Sequence, residues 1–394
     1  MKFPPLPFAR RAARDSAAGP GPAFRRRPSW TGPKAALGVA ALSIAASIVV
    51  PVQPQLPAEA RGDQAMAETV RPHLDGVRRQ VAAVVVDEHG ARETLFGTTP
   101  TTPFFIGSVT KLFTVELYAE SVRRGEVAPD TTLGELLPMD DSPAALITLD
   151  ELAHHESGLG EWGADDEFDQ GFGAWWTTRV AHGEPREHTT VDELYDRARR
   201  DPLSGRGAYR YSNIGIALLG HALAEAAEQP YAELLAERLL EPLNMRHTGF
   251  PGADNLNPPR GLEADGAHAP IWDLGAYAPA GGAVSTRMDL GLFARSIGSS
   301  GDDTGDGAAD EAGGDTRDGA PSAGDPARAV YRGFRVTGLD GRRTLSKVGT
   351  VAGFQAVILV DPEAGRTVVM LSDSWNRILD AAEALLSEEN ARYA

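Results

Sequence analysis

Apolar and polar positions change period several times along this chain, and each change marks an element. Residues 79–87 (RQVAAVVVD) make an apolar, β-branched run, Glu88-His89-Gly90 turns, and residues 93–96 return, which predicts a hairpin. From 108 to 124 the apolar positions Leu112, Phe113, Val115, Leu117, Tyr118 and Val122 take helical spacing. Further helices are predicted at 191–200, 214–228 and 231–240, the last closed by Pro242. Strand patterns resume at 330–337, 344–347, 354–360 and 367–371. A terminal helix from 375 to about 390 then carries Ile378, Leu379, Ala382, Leu385 and Leu386 on one face. Strands at both ends and helices between them predict an α/β (α+β) fold. One antiparallel sheet is built from both chain ends (about 75–107 and 328–394) and flanked by helices, with a mostly helical region (about 108–297) inserted.

Two stretches fall outside that plan. Residues 298–327 hold eight acidic side chains against Arg317, with many glycines and only alanine as apolar content, so they are expected to form a disordered acidic loop. At the start, a basic stretch ending at Lys34 precedes residues 35–52, which carry no charge, and Ala58-Glu59-Ala60 offers a small-x-small cleavage site. Residues 1–60 therefore read as a signal peptide or as a signal anchor tethered through 35–52, and both readings stay open. Either places the body, 61–394, outside the membrane: exported, on the cell-wall side, secreted or anchored.

The formal net charge is −17, and the basic leader makes the remainder more acidic still. Such a body has little attraction for nucleic-acid phosphates, so no nucleic-acid partner is expected. With no cysteine, disulfides, thiolate nucleophiles and cysteine-held zinc are excluded.

Positive charge is almost all arginine: 34 against four lysines, of which Lys2 and Lys34 lie in the leader. Only Lys111 and Lys347 remain in the body. Arginine keeps its proton in proteins, whereas a buried lysine can lose it and act as a base, so a lysine kept among so many arginines suggests that task. Lys111 stands in Gly107-Ser108-Val109-Thr110-Lys111, and a serine and lysine three apart on a helix share a face. A helix opening at Ser108 leaves that residue's amide unbonded, so it can serve as one oxyanion donor. Tyr211-Ser212-Asn213 follows a Gly/Ser/Pro turn. By itself it reads as a core aromatic followed by a helix cap; as chemistry, a phenol beside two amines is expected to lose its proton more easily and to relay the serine's, and Asn213 to donate to a substrate carbonyl. Lys347-Val348-Gly349-Thr350 ends a predicted strand, and alone it also reads as a plain charged strand end; as chemistry, the Thr350 amide would be the second oxyanion donor and Lys347 would either hold a substrate carboxylate or keep the neighbouring proton low.

With these motifs in this order, the chain resembles the serine β-lactamase and penicillin-binding-protein family: class C β-lactamases, D-alanyl-D-alanine carboxypeptidases and related esterases. The resemblance covers roughly residues 81–386 and rests on Ser-x-x-Lys at Ser108/Lys111, Tyr-x-Asn at Tyr211/Asn213 and Lys-x-Gly at Lys347/Gly349. The run His155-Glu156-Ser157-Gly158-Leu159 also looks like a family turn. Val348 departs from the family's threonine and removes a hydroxyl expected near a substrate carboxylate.

The resemblance implies a serine hydrolase that forms an acyl-enzyme on an amide, lactam or ester. Ser108, Lys111 and Tyr211 would be catalytic, and Asn213, Lys347, Gly349 and Thr350 substrate-binding. The substrate would be a small molecule or peptide, such as a peptidoglycan peptide or a β-lactam. An esterase of the same fold, or a penicillin-binding sensor without turnover, are the alternatives. No metal or cofactor is expected: His155-Glu156 lacks the second histidine of His-Glu-x-x-His, Leu159 standing in its place. No Gly-x-Ser-x-Gly elbow is present. Trp175 and Trp176 are read as packing, or as lining a cleft.

Overall fold

The computed structural model describes residues 54–164, 188–251, 260–299 and 333–393. The leader through residue 53, the acidic run beyond Ser299, and Trp175 and Trp176 lie outside the described residues.

Seven strands form one sheet in the order β1-β3-β2-β9-β8-β7-β6, every pair antiparallel. They are β1 (Arg61–Gly62), β2 (Val81–Asp87), β3 (Gly90–Phe96), β6 (Arg335–Leu339), β7 (Arg342–Val351), β8 (Phe354–Asp361) and β9 (Arg366–Ser372). The two ends of the chain meet at its centre, where Val81 pairs with Ser372 and Val86 with Thr367. The sheet is thus assembled from both termini, as the strand pattern predicts. A second, two-stranded sheet pairs β4 (Phe104–Phe105) with β5 (Val284–Ser285).

Period-two alternation explains why the central strands read as unbroken apolar runs, since both faces of the sheet are covered. Val81, Ala83 and Val85, with Val357, Leu359, Val368 and Met370, face α1 (Gln64–Val70) and the terminal helix. Ala82, Val84 and Val86, with Ala356, Ile358, Val369 and Leu371, face the larger core shared with the helical region. That region contains α2 (Thr110–Arg123), α3 (Leu149–Ala153), α4 (Val191–Arg200), α5 (Asn213–Ala226) and α6 (Arg287–Ser299), and the terminal helix is α7 (Leu379–Arg392). Phe113 on α2 meets Phe293 on α6 edge to face at 4.9 Å, which ties the helix that carries Lys111 to the helix lying on the sheet.

Several boundaries differ from the sequence expectation. Of the strand expected at 330–337, residues 330–332 lie outside the described residues; the strand runs over Arg335–Leu339 and ends where Asp340 and Gly341 both take positive φ and turn the chain. β7 continues past Lys347 to Val351, so that lysine lies within the strand rather than at its end. The terminal helix starts at Leu379 because Ser374 and Asn376 hold the preceding segment in side-chain hydrogen bonds to Val77. Two residues of the expected disordered run, 298 and 299, belong to α6. Among the described residues no helix is long and apolar enough to cross a membrane.

Truncating Phe113 empties a fully buried site between two layers. Phe113→Ala is expected to lower unfolding free energy by about 3–5 kcal/mol, read from urea denaturation.

Candidate active site

The serine turn is built from a sharp bend and a close approach. Residues Gly107–Val109 form one turn of 3-10 helix that runs into α2, with Gly107 at φ 51°. A side chain at Gly107 would put its Cβ 2.7 Å from the Thr350 amide nitrogen. One at Gly349 would fall 1.9 Å from the Ile106 carbonyl oxygen and 2.9 Å from the Ser108 amide nitrogen. Strand β7 therefore lies directly against the turn, and the Ser108 and Thr350 amides are neighbours across that contact. Gly349 is needed for the approach itself. Strand pairing on the β6 side stops at Ser346, so the Lys347–Val351 stretch turns that edge toward the serine.

The hydroxyl of Ser108 sits between two partners. Lys111 Nζ lies 3.1 Å from Ser108 Oγ, and the Tyr211 hydroxyl donates to the same oxygen at 2.7 Å. Lys111 is fully buried, and its amine also donates to Asn213 Oδ1 and to the Ala280 carbonyl, each at 2.6 Å. Ala280 is held in place because Thr114 donates to the Pro279 carbonyl and the Ala283 amide donates to Thr110. Lys347 lies over the Tyr211 ring at 5.5 Å and Lys111 over it at 4.9 Å. The seven residues singled out in the sequence thus converge on one place.

Burial pushes the Lys111 ammonium well below the ordinary lysine range; the Lys347 charge acts the same way and the Glu161 carboxylate opposes it. Burial brings Lys347 down to about 7. A neutral amine has two hydrogens and one lone pair. Two of the three neighbours of Lys111 are carbonyl oxygens, which only accept, so both hydrogens go to them and the lone pair faces Ser108 Oγ. That arrangement can accept the serine's proton.

Tyr211 differs from expectation. Burial raises its phenol to about 12, against which the hydrogen bond to Ser108 works only partly. With both amines depressed, little positive charge remains to draw the phenol proton off. Tyr211 is therefore a neutral donor near pH 7, and of the two candidate bases the geometry and charge favour Lys111. Asn213 differs too: its oxygen holds Lys111 and its nitrogen donates to Glu161 Oε1 at 3.2 Å, so the amide is engaged within the protein. Val348 alternates to the face of β7 opposite Lys347 and is 39% exposed, so its side chain does not stand beside that amine.

Two neighbours escaped the sequence reading. His155, taken there as part of a turn, is buried and packs its ring, tilted by 37°, against Tyr211 at 4.8 Å. Its Nδ1 accepts the Ser212 amide at 3.2 Å, and burial, with help from Lys347 and Lys111, holds it well below the ordinary histidine range, so it is neutral. Glu161 receives the Asn213 and Ile214 amides on its backbone carbonyl, at 2.7 and 3.2 Å, as well as the Asn213 side chain. The Asn213 and Arg210 amides bond to carbonyls of the 155–161 loop, and only the fold brings these stretches together. Among the described residues no cluster of side chains suited to a metal ion occurs.

The Beta-lactamase family model matches residues 65–391. Esterase EstB of Burkholderia gladioli is 31% identical over 164 residues, which are 39% of this chain and 40% of the esterase. A D-alanyl-D-alanine-carboxypeptidase/endopeptidase, AmpH of Escherichia coli, is 29% identical over 193 residues, 47% of this chain and 46% of that protein. The chain thus spans less than half of either relative. A class C beta lactamase from Rhodobacter sphaeroides shares the fold, with a TM-score of 0.61 at 20% identity, covering 82% of this chain and 98% of that one.

Lys347, at about 7 when folded and near 10.5 when unfolded, titrates differently in the two states. Between those values the unfolded chain holds a proton that the folded protein has lost, so stability rises with pH across that window. Chemical denaturation from pH 7 to 10 should show that rise, and Lys347→Met should flatten its slope and stabilise the protein most at pH 7.

Proposed function

The chain belongs to the Beta-lactamase family, and from that premise we propose that it is a serine hydrolase working through an acyl-enzyme on Ser108. The observation that carries this reading is the contact of one hydroxyl with a buried amine at 3.1 Å and a phenol donor at 2.7 Å. In the proposed reaction the Ser108 proton passes to Lys111 as Oγ attacks the substrate carbonyl, and the Ser108 and Thr350 amides receive the developing oxyanion. As the tetrahedral intermediate collapses, the bond to the leaving amine or alcohol breaks and Tyr211 supplies its proton. The Lys111 proton then restores the phenol. Water repeats the sequence on the acyl-enzyme and frees Ser108.

The substrate class in this reading is a D-alanyl-D-alanine-like peptide or a β-lactam, with the Lys347 ammonium receiving the carboxylate. One observation favours an ester as the second reading. An amine at about 7 is only half charged at neutral pH, a modest attraction for an anion and none needed for a neutral ester. We place the enzyme outside the cytoplasmic membrane, on the strength of the basic stretch before residues 35–52 and the small-x-small site at 58–60.

A chromogenic cephalosporin, a D-alanyl-D-alanine peptide and a short nitrophenyl ester, assayed side by side, separate the substrate classes. Ser108→Ala should lower every turnover by about a thousandfold or more with unchanged circular dichroism. Retained turnover, or a penicillin adduct mapped to another residue, would overturn the scheme; a stable adduct on Ser108 without turnover would indicate a sensor. For anionic substrates kcat/KM should fall above about pH 7 as Lys347 loses its proton, while the neutral ester shows no such limb. Lys347→Met should abolish that difference between the two substrates.

A further inference from the structure

Asn213 links Glu161 to the amine of Lys111 by hydrogen bonds, and the two ends of its amide are chemically opposite. Its nitrogen donates to Glu161 Oε1 at 3.2 Å and its oxygen accepts from Lys111 Nζ at 2.6 Å. A carboxylate accepts and never donates, so it requires the NH2 end of the amide. The oxygen end is thereby turned to Lys111. Were the amide reversed, its NH2 group would face the amine and compete for the lone pair that otherwise faces Ser108 Oγ. We propose that Glu161 is a positioning residue of this site: through Asn213 it fixes which end of the amide meets Lys111, and so directs the amine's lone pair to Ser108.

The inference rests on the reading of Ser108 as the acylated nucleophile, and it adds a residue acting through two others. Glu161 also has a charge, opposite in sign to that of Lys347. The titratable groups facing Lys111 are Lys347 from β7, Glu161 from the loop after α3, Tyr211 from the segment before α5 and His155 at the end of α3. His155 and Tyr211 are neutral near pH 7, which leaves Lys347 and Glu161 as the opposing influences. Substitution of the Glu161 side chain leaves its backbone carbonyl free to keep the Asn213 and Ile214 amides, and the residue is exposed, so variants should fold.

The scarcity of lysine makes a direct measurement practical. With four lysines in the chain, 13Cε-lysine labelling gives few resonances, and Lys111→Met and Lys347→Met assign the two of the body. In Glu161→Gln the Lys111 midpoint should fall by about half a pH unit or more, as loss of a nearby negative charge requires. The acid limb of kcat/KM for the nitrophenyl ester should move with it. Glu161→Ala should lower kcat about tenfold with KM within about twofold, and Glu161→Asp should return the Lys111 midpoint to the wild-type value. An unmoved midpoint in Glu161→Gln, or a kcat in Glu161→Ala within about twofold of wild type, would overturn the proposal. A wild-type protein that is not acylated at Ser108 would overturn the proposed activity instead, and the NMR midpoints would still decide on Glu161.

Discussion

A lysine amine with no access to water is the constraint from which the rest of this site follows. Transferring an ammonium ion into a protein interior costs several kcal/mol, and here the second lysine adds to that cost instead of offsetting it. Burial therefore favours the neutral form of the amine. Once neutral it must still satisfy two N–H groups, and the fold supplies two carbonyl oxygens, from Asn213 and Ala280, at 2.6 Å each. What is left over is a lone pair, aimed at the oxygen of Ser108. Basicity and aim therefore come from one packing arrangement.

That arrangement needs pieces from distant parts of the chain. The 3-10 turn that runs into α2 supplies Ser108, α2 supplies Lys111, the start of α5 supplies Asn213, and the segment before α6 supplies the Ala280 carbonyl. Strand β7 then closes the site from the sheet side, approaching so near that Gly349 cannot carry a side chain. Tyr211 fills the space between the two amines, its ring held on the far side by His155. Each group is fixed by packing or by a hydrogen bond to backbone, which keeps a reacting geometry without movement.

The parts of this plan that were legible in the sequence are those with a local signature. Ser108 and Lys111 are three apart on one helix, so spacing alone implied their contact. The hairpin at 81–96 and the two covered faces of the central strands follow from runs of apolar residues flanked by turns. The full length of β7 was less legible, since Val348 and Gly349 look like a strand ending. Gly349 is there for a close approach, and the strand continues through it. Asp340-Gly341 carried a readable turn signal that sets the end of β6. His155 and Glu161 had no such signature. They lie about fifty residues from Tyr211 and Asn213 and meet them only through the pairing of two irregular segments, which no periodicity reports. The charge state of Tyr211 was misjudged for a related reason: counting nearby amines ignores that burial discharges them first.

The pairing of Val81 with Ser372 has a consequence for the life of the chain before it is complete. The serine and its lysine leave the ribosome well before the strand that seats β2, and before β7 with its own lysine. Until then the growing polypeptide holds the reactive side chains without the cleft that makes them reactive. Closure across so long a separation is also slow. The order of synthesis thus places Ser108 ahead of the strands that complete its surroundings.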